Sequence, residues 1–209
     1  LTDDQIKALE TEDLAALSSN QIVAMQTQQF AAMETEQVAA LTARQIAAIE
    51  TQDIAAWGSD QVQALTTSQL PALTNYQVSR LTTTTLAALT TDQIQALTPK
   101  AISVLTPTQV SKLSTDQVAA LTTKQLQALT PTSITALTTD QVSALTTSQI
   151  VALTGNQIKS LSTSHMQALT TEQLPALETR EISLKIKAYL DGVKSGEIAD
   201  TMNWVQKVC

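Results

Sequence analysis

The chain has 209 residues, 43% of them hydrophobic but only 2% aromatic, with a formal net charge of −7 and a single Cys. An acidic chain with scattered bases and no aromatic platform is a poor match for nucleic acid, and one Cys excludes an internal disulfide framework. No apolar run reaches the ~20 residues that cross a bilayer, and the sequence shows no secretory signal, so no membrane span is expected.

Read in blocks of eight from Leu1, the sequence gives 23 uninterrupted copies through Leu184, with the consensus Leu-Thr-Thr-x-Gln-Ile/Val-x-Ala. Slot one is apolar in every copy, with Met25, Met33, Ile49 and Trp57 as the departures from Leu. Slot six is Ile, Leu or Val except at Phe30 and Met166, slot eight is Ala in 18 copies, and slot five is Gln in 16. A short fixed period marks a solenoid whose units cannot fold alone. One continuous helix is excluded, because eight residues leave a drift of about 80° per repeat and the apolar stripe would wind around the rod. A β-helix fits poorly as well, since slots one and six lie an odd number of residues apart and would face opposite ways.

The local chemistry selects a third backbone. Thr in slot two and Gln in slot five form a capping box, and the apolar slots one and six fall at the hydrophobic-staple positions N′ and N4. Each octapeptide is therefore predicted to be one newly capped helical turn over roughly slots three to seven.

In chain order, the stretch 1–56 carries the weakest caps. Glu10, Gln26, Glu34 and Glu50 replace the slot-two Thr there, as Glu178 does later. Slot three is Thr in all five, so the cap is expected to be free to slide by one residue, and longer Ala- and Gln-rich helices compete as a reading of this stretch. Trp57 fills a Leu slot and is assigned to the core, with Gly58 after it marking a bend or an edge. Pro71 and Pro175 in slot seven argue for brevity, because Pro disfavours helical geometry in the residue before it. Pro99, Pro107 and Pro131 in slot three sit at N1, the helical position that favours Pro.

Departures from Gln in slot five fall mostly in odd-numbered copies (Asp53, Thr85, Ala101, Ser133, His165, Glu181), which favours a sixteen-residue coil of two repeats. Asp92, Asp116 and Asp140 recur at every third repeat and point instead to three. The tail, residues 185–209, breaks the period. Its apolar spacing predicts helix, a short strand over Ile182, Leu184 and Ile186 being the other reading, and it is taken as a C-terminal cap with Trp204 buried against the last repeats. The expected fold is thus all-α: a solenoid over 1–184 and a capping segment over 185–209.

Chemistry is hard to find in these residues. His165 is the lone histidine and occupies a Gln slot, as a substituted capping residue would; no zinc or haem set can be built around it. The carboxylates of slots two to five are read as solvated helix-start charges, the glycines Gly58, Gly155, Gly192 and Gly196 form no phosphate loop, and no Asn-x-Ser/Thr sequon occurs. No catalytic, cofactor-binding or metal-binding residue is assigned, and no enzyme is expected. The variable slots four and seven, Tyr76 among them, are assigned to the outer surface.

Charge is uneven: residues 1–64 hold ten acids and two bases, whereas 65–184 hold six of each. The chain begins in register, as a mature end or an excised piece would, and the first repeat is expected to expose Leu1, Ile6 and Leu9. Its acids Asp3, Asp4, Glu10, Glu12 and Asp13 and the tail's Lys185, Lys187, Lys194 and Lys207 suit a head-to-tail, salt-sensitive self-association.

The stretches "LTTDQVAAL", "LTTKQLQAL" and "LTTSQIVAL" resemble the octapeptide tracts of very large bacterial secreted or surface proteins, often labelled haem-utilisation or adhesion proteins. The resemblance covers residues 1–184 and implies a bacterial, extracellular stalk or array. The function expected is a structural spacer or self-assembling filament subunit, joined end to end or to flanking domains. The alternative is a partner-binding, adhesin-like solenoid that uses slots four and seven.

Overall fold

A computed structural model describes residues 2–176, which form twenty short α-helices and two 3-10 turns, without a strand among them. Almost every repeat builds one element. In residues 121–128, for example, Thr122 is the N-cap, the helix runs Thr123–Ala128, and Leu129 returns to extended backbone with φ −62° and ψ 137°. Slot one and slot two are both extended, so each Leu-Thr pair is a corner between one helical turn and the next. The cap explains why the chain restarts so often. Thr122 Oγ1 accepts from the Gln125 N–H at 3.2 Å while Gln125 Oε1 accepts from the Thr122 N–H at 2.8 Å, satisfying two donors that a bare helix start leaves orphaned.

The weak-cap copies keep the same register. Glu10, Gln26, Glu34 and Glu50 remain the N-cap residues without a side-chain cap bond, and the following Thr stays at N1 instead of taking over the cap. Sliding does not occur because the staple residues in slots one and six are fixed by the core. Nor do longer helices form over the stretch 1–56, where the elements are four to six residues long. The Gln half of the box is retained at Gln26 and Glu34, whose N–H groups donate to Gln29 and Gln37 Oε1.

Pro acts as its position dictates. Pro99, Pro107 and Pro131 open their helices at N1, where no N–H is needed. Pro71 and Pro175 in slot seven reduce their repeats to a turn followed by the 3-10 elements Leu70–Ala72 and Leu174–Ala176, since a Pro ring there clashes with an α-helical carbonyl four residues back.

Packing shows the coil. The helix Thr91–Ala96 lies on Thr115–Ala120, that one on Thr139–Ala144, and that one on Thr163–Ala168, so each element packs on the one three repeats away. The same spacing holds from the pair Thr11–Ala16 with Thr35–Ala40 to the pair Thr147–Ala152 with Leu174–Ala176. A coil is therefore three octapeptides, not two. The recurrence of Asp92, Asp116 and Asp140 at every third repeat reports one exposed column of this coil, whereas the odd-copy substitutions in slot five do not track it.

The core is a thin aliphatic axis. Slot six is fully buried through most of the column, as at Ile46, Leu86, Ile94, Val118, Leu126 and Val142, and slot one is buried beside it. Even Ile6 is completely buried, contrary to the expectation for the first repeat, because slot six points to the axis of its own coil. What the first layer leaves half-buried is slot one, at Leu9, Leu17 and Met25, which elsewhere faces the neighbouring coil. Trp57 is 2% exposed and its indole N–H donates to the Phe30 carbonyl at 3.2 Å, so the Leu slot accepts a larger side chain with its polar atom satisfied. Gly58 is an ordinary extended N-cap with φ −80°. The tail over 185–209, Trp204 and the boundary at 184 lie outside the described residues.

The cap register yields a direct test. Thr122→Ala removes the acceptor for the Gln125 N–H and is expected to cost about 0.5–2 kcal/mol in urea titration. Thr91→Pro, at N1 of the helix Thr91–Ala96, is expected to stay within about 0.5 kcal/mol of the parent, since that position needs no N–H.

Candidate functional site

The sequence assigned no chemical site, and the described residues hold no group of three or more His, Cys, Asp or Glu able to bind a metal together. What repeats with fixed geometry is the slot-five side chain. Sequence reasoning gave its Gln a place in the capping box and read only its carboxylates as solvated. The structure buries it between coils: Gln77, Gln125 and Gln157 are each 1% exposed.

Burial follows from a second use of the amide. While Oε1 closes the capping box, Nε2 donates to two backbone carbonyls of the preceding coil, those of its slot-six and slot-one residues. Gln125 Nε2 reaches the Ile94 and Leu97 carbonyls, both at 2.7 Å. Gln157 reaches Leu126 and Leu129 at 2.8 Å, and Gln45 reaches Leu14 and Leu17 at 2.8 Å. The slot-one carbonyl stands at a corner, past the end of a helix, where nothing in its own repeat donates to it. One amide from the next coil supplies that donor. Two buried amide–carbonyl bonds, at roughly 0.5–1.5 kcal/mol each, recur along the column, and unmade ones would cost more. The side chain that starts a helix thereby fixes its distance to the coil beneath.

The exceptions follow the same logic. Ser133 Oγ donates to the Leu105 carbonyl at 3.1 Å, one bond instead of two. His165 stacks its ring into the same place, with Nε2 2.7 Å from the Leu137 carbonyl and Nδ1 accepting from the Ser162 N–H at 3.4 Å, a pairing that needs the neutral tautomer protonated on Nε2. It is a substituted clamp as well as a substituted cap. Thr85 turns its hydroxyl back to Thr82 and reaches no lower coil. Ala101 has no donor at all, above the repeat that Pro71 has already reduced to a 3-10 turn. Ala101→Gln is expected to supply donors to the Leu70 and Leu73 carbonyls and raise stability by about 0.5–1.5 kcal/mol in urea titration, a gain absent from Lys100→Gln on the surface beside it.

Asp53 departs most. It is 2% exposed, and its Oδ1 accepts from Thr27 Oγ1 at 2.6 Å. The reading of every slot-five carboxylate as solvated fails here, because slot five lies between coils wherever a coil lies beneath. Asp13, in the first coil described, is exposed as that reading had it.

Slots two, three, four and seven make the outer surface, on which Tyr76 is 72% and Val151 60% exposed. Slot-seven polar groups add a second set of ties in the forward direction: Gln63 and Gln127 Nε2 donate to the Ala88 and Ala152 carbonyls at 2.8 Å. An open groove of about 320 Å³ lies along Met33, Glu34, Thr35 and Gly58 to Gln61. Beside it the exposed Glu36 carboxyl is held below its ordinary range by a backbone hydrogen bond and by the Thr35 hydroxyl. Among the described residues, no helix is long and apolar enough to cross a membrane.

A family model described as the ALTTAQ repeat matches residues 1–43, 45–83, 86–123, 102–131 and 118–155, tiling most of the chain. No curated protein matches the sequence.

Proposed function

We propose that this chain, which belongs to the ALTTAQ repeat family, serves as a structural spacer: a stalk-like solenoid without catalytic activity, set on the outside of a bacterial cell or in its secretions. The observation that carries this reading is the uniform Gln clamp. Most coils are tied to the next by the same pair of bonds, so length is added without altering the cross-section, and most of the conspicuous side chains are spent inside the column. A spacer needs these properties. The resemblance of its octapeptides to tracts in large bacterial surface proteins supports the location. End-to-end self-association into a filament belongs to the same reading, with the half-buried Leu9, Leu17 and Met25 as the layer that contact would cover.

Electron microscopy of the purified chain, with sedimentation across a wide range of concentration and salt, tests it. A thin rod of uniform width supports the spacer, and salt-weakened lengthening at high concentration adds the filament. A compact particle contradicts both.

A further inference from the structure

We infer that two copies of this chain dock side by side, the face carrying Tyr76, Lys100 and Lys124 in one seated on the face carrying Asp92, Asp116 and Asp140 in the other. Because a coil is three octapeptides, slot four of every third repeat falls on one face of the column. The helices Asn75–Arg80, Pro99–Ser103 and Thr123–Ala128 stack in this way and bear the first set. Thr91–Ala96, Thr115–Ala120 and Thr139–Ala144 form a second stack and bear the other. All six side chains are exposed, Tyr76 to 72%, and none has a hydrogen-bond or ion-pair partner among the described residues.

An exposed charge is ordinarily just solvated, but local chemistry does not account for these. Asp at the second helical position suits the helix dipole, whereas Lys100 and Lys124 stand at that same position, where a cation is disfavoured. Within each set, like charges one coil apart also repel. Each face lacks what the other offers, and because both sets step by one coil, a single register matches them throughout. Lys100 meets Asp116 whether the copies run in the same or in opposite directions. Lys124 and Tyr76 then meet the other two carboxylates, the phenol as a hydrogen-bond donor. A face about seven coils long, at roughly 8–10 Å per coil, and one helix wide covers about 600–800 Å² per copy, at or below the ~800 Å² typical of a stable complex. The contact is therefore reversible. It joins rods along their sides and needs neither end, unlike a filament contact over Leu9, Leu17 and Met25.

The test is sedimentation equilibrium of the full chain, reduced so that Cys209 forms no disulfide, at about 0.15 M salt, where the long-range repulsion of the net charge is screened. The parent is expected to associate reversibly at chain concentrations on the order of 0.1–1 mM. One variant combines Lys100→Asp with Lys124→Asp; a second combines Asp92→Lys, Asp116→Lys and Asp140→Lys. Each alone is expected to associate about ten-fold more weakly than the parent or less, because both of its faces now carry one sign. Mixed in equal amounts, the two are expected to recover the parent's association, since each supplies the face that the other lost. A parent that stays monomeric, variants that associate as the parent does, or a mixture that fails to recover overturns the inference; the second of these outcomes assigns the contact to the chain ends instead. Circular dichroism melting checks that both variants fold, and should one not, the other against the parent decides alone.

Discussion

Gln125→Glu is expected to cost about 3–5 kcal/mol at neutral pH, although the two side chains have the same shape. The substitution keeps the oxygen that closes the capping box with Thr122 but turns a second carboxylate oxygen toward the Ile94 and Leu97 carbonyls, which lose both donors. Burial facing carbonyls raises the folded-state pKa of the new carboxyl above its unfolded value of about 4.3. The penalty is therefore nearly absent below that unfolded value and grows as pH rises toward and through the folded one. Urea titration of parent and variant across this range measures it. Gln127→Glu, two residues away on the surface, is expected to cost under about 1 kcal/mol because it loses one exposed bond. Similar losses at 125 and 127 would remove the distinction between clamp and surface.

Ile94→Asp is expected to do still more damage. Ile94 is fully buried on the axis, and even Ile94→Ala should cost about 2–5 kcal/mol for the cavity it leaves. An unpaired carboxylate there adds its desolvation, so the layers on either side lose their shared interface and the column melts as two weakly coupled pieces. Circular dichroism should show a broadened or two-step transition. Asp116→Lys, in the exposed column, is expected to stay within about 0.5 kcal/mol of the parent with a single transition.

The helix register was legible in the octapeptide because each of its signals is local: Thr as cap, Gln three residues on, Leu and Ile at the staple, Pro at N1. Coil size was not, because the angle at each Leu-Thr corner is settled by how one coil sits on another. That information is spread over positions three or more repeats apart, and the substitutions of slot five, spaced without regard to the coil, misled. The clamp did leave a trace. A capping box accepts Glu as readily as Gln, yet slot five holds Gln 16 times and Glu once, at Glu181. A preference for the amide over the acid says that the hydrogens of Nε2 are needed, and hence that the slot is buried against acceptors. The same argument would have singled out Asp53, which the composition of its neighbours did not.

The central claim, a coil of three octapeptides clamped to the next by the slot-five amide, is tested most directly by distances between spin labels on the outer surface. With Cys209 replaced by Ser, labels at Asp92 and Asp116 sit one coil apart on stacked helices, and labels at Asp92 and Thr108 sit two repeats apart around the coil. The three-repeat coil predicts that the 92/116 pair is the closer, near the roughly 8–10 Å spacing of packed helices plus the label arms. A closer 92/108 pair would mean a coil of two repeats and would contradict the account.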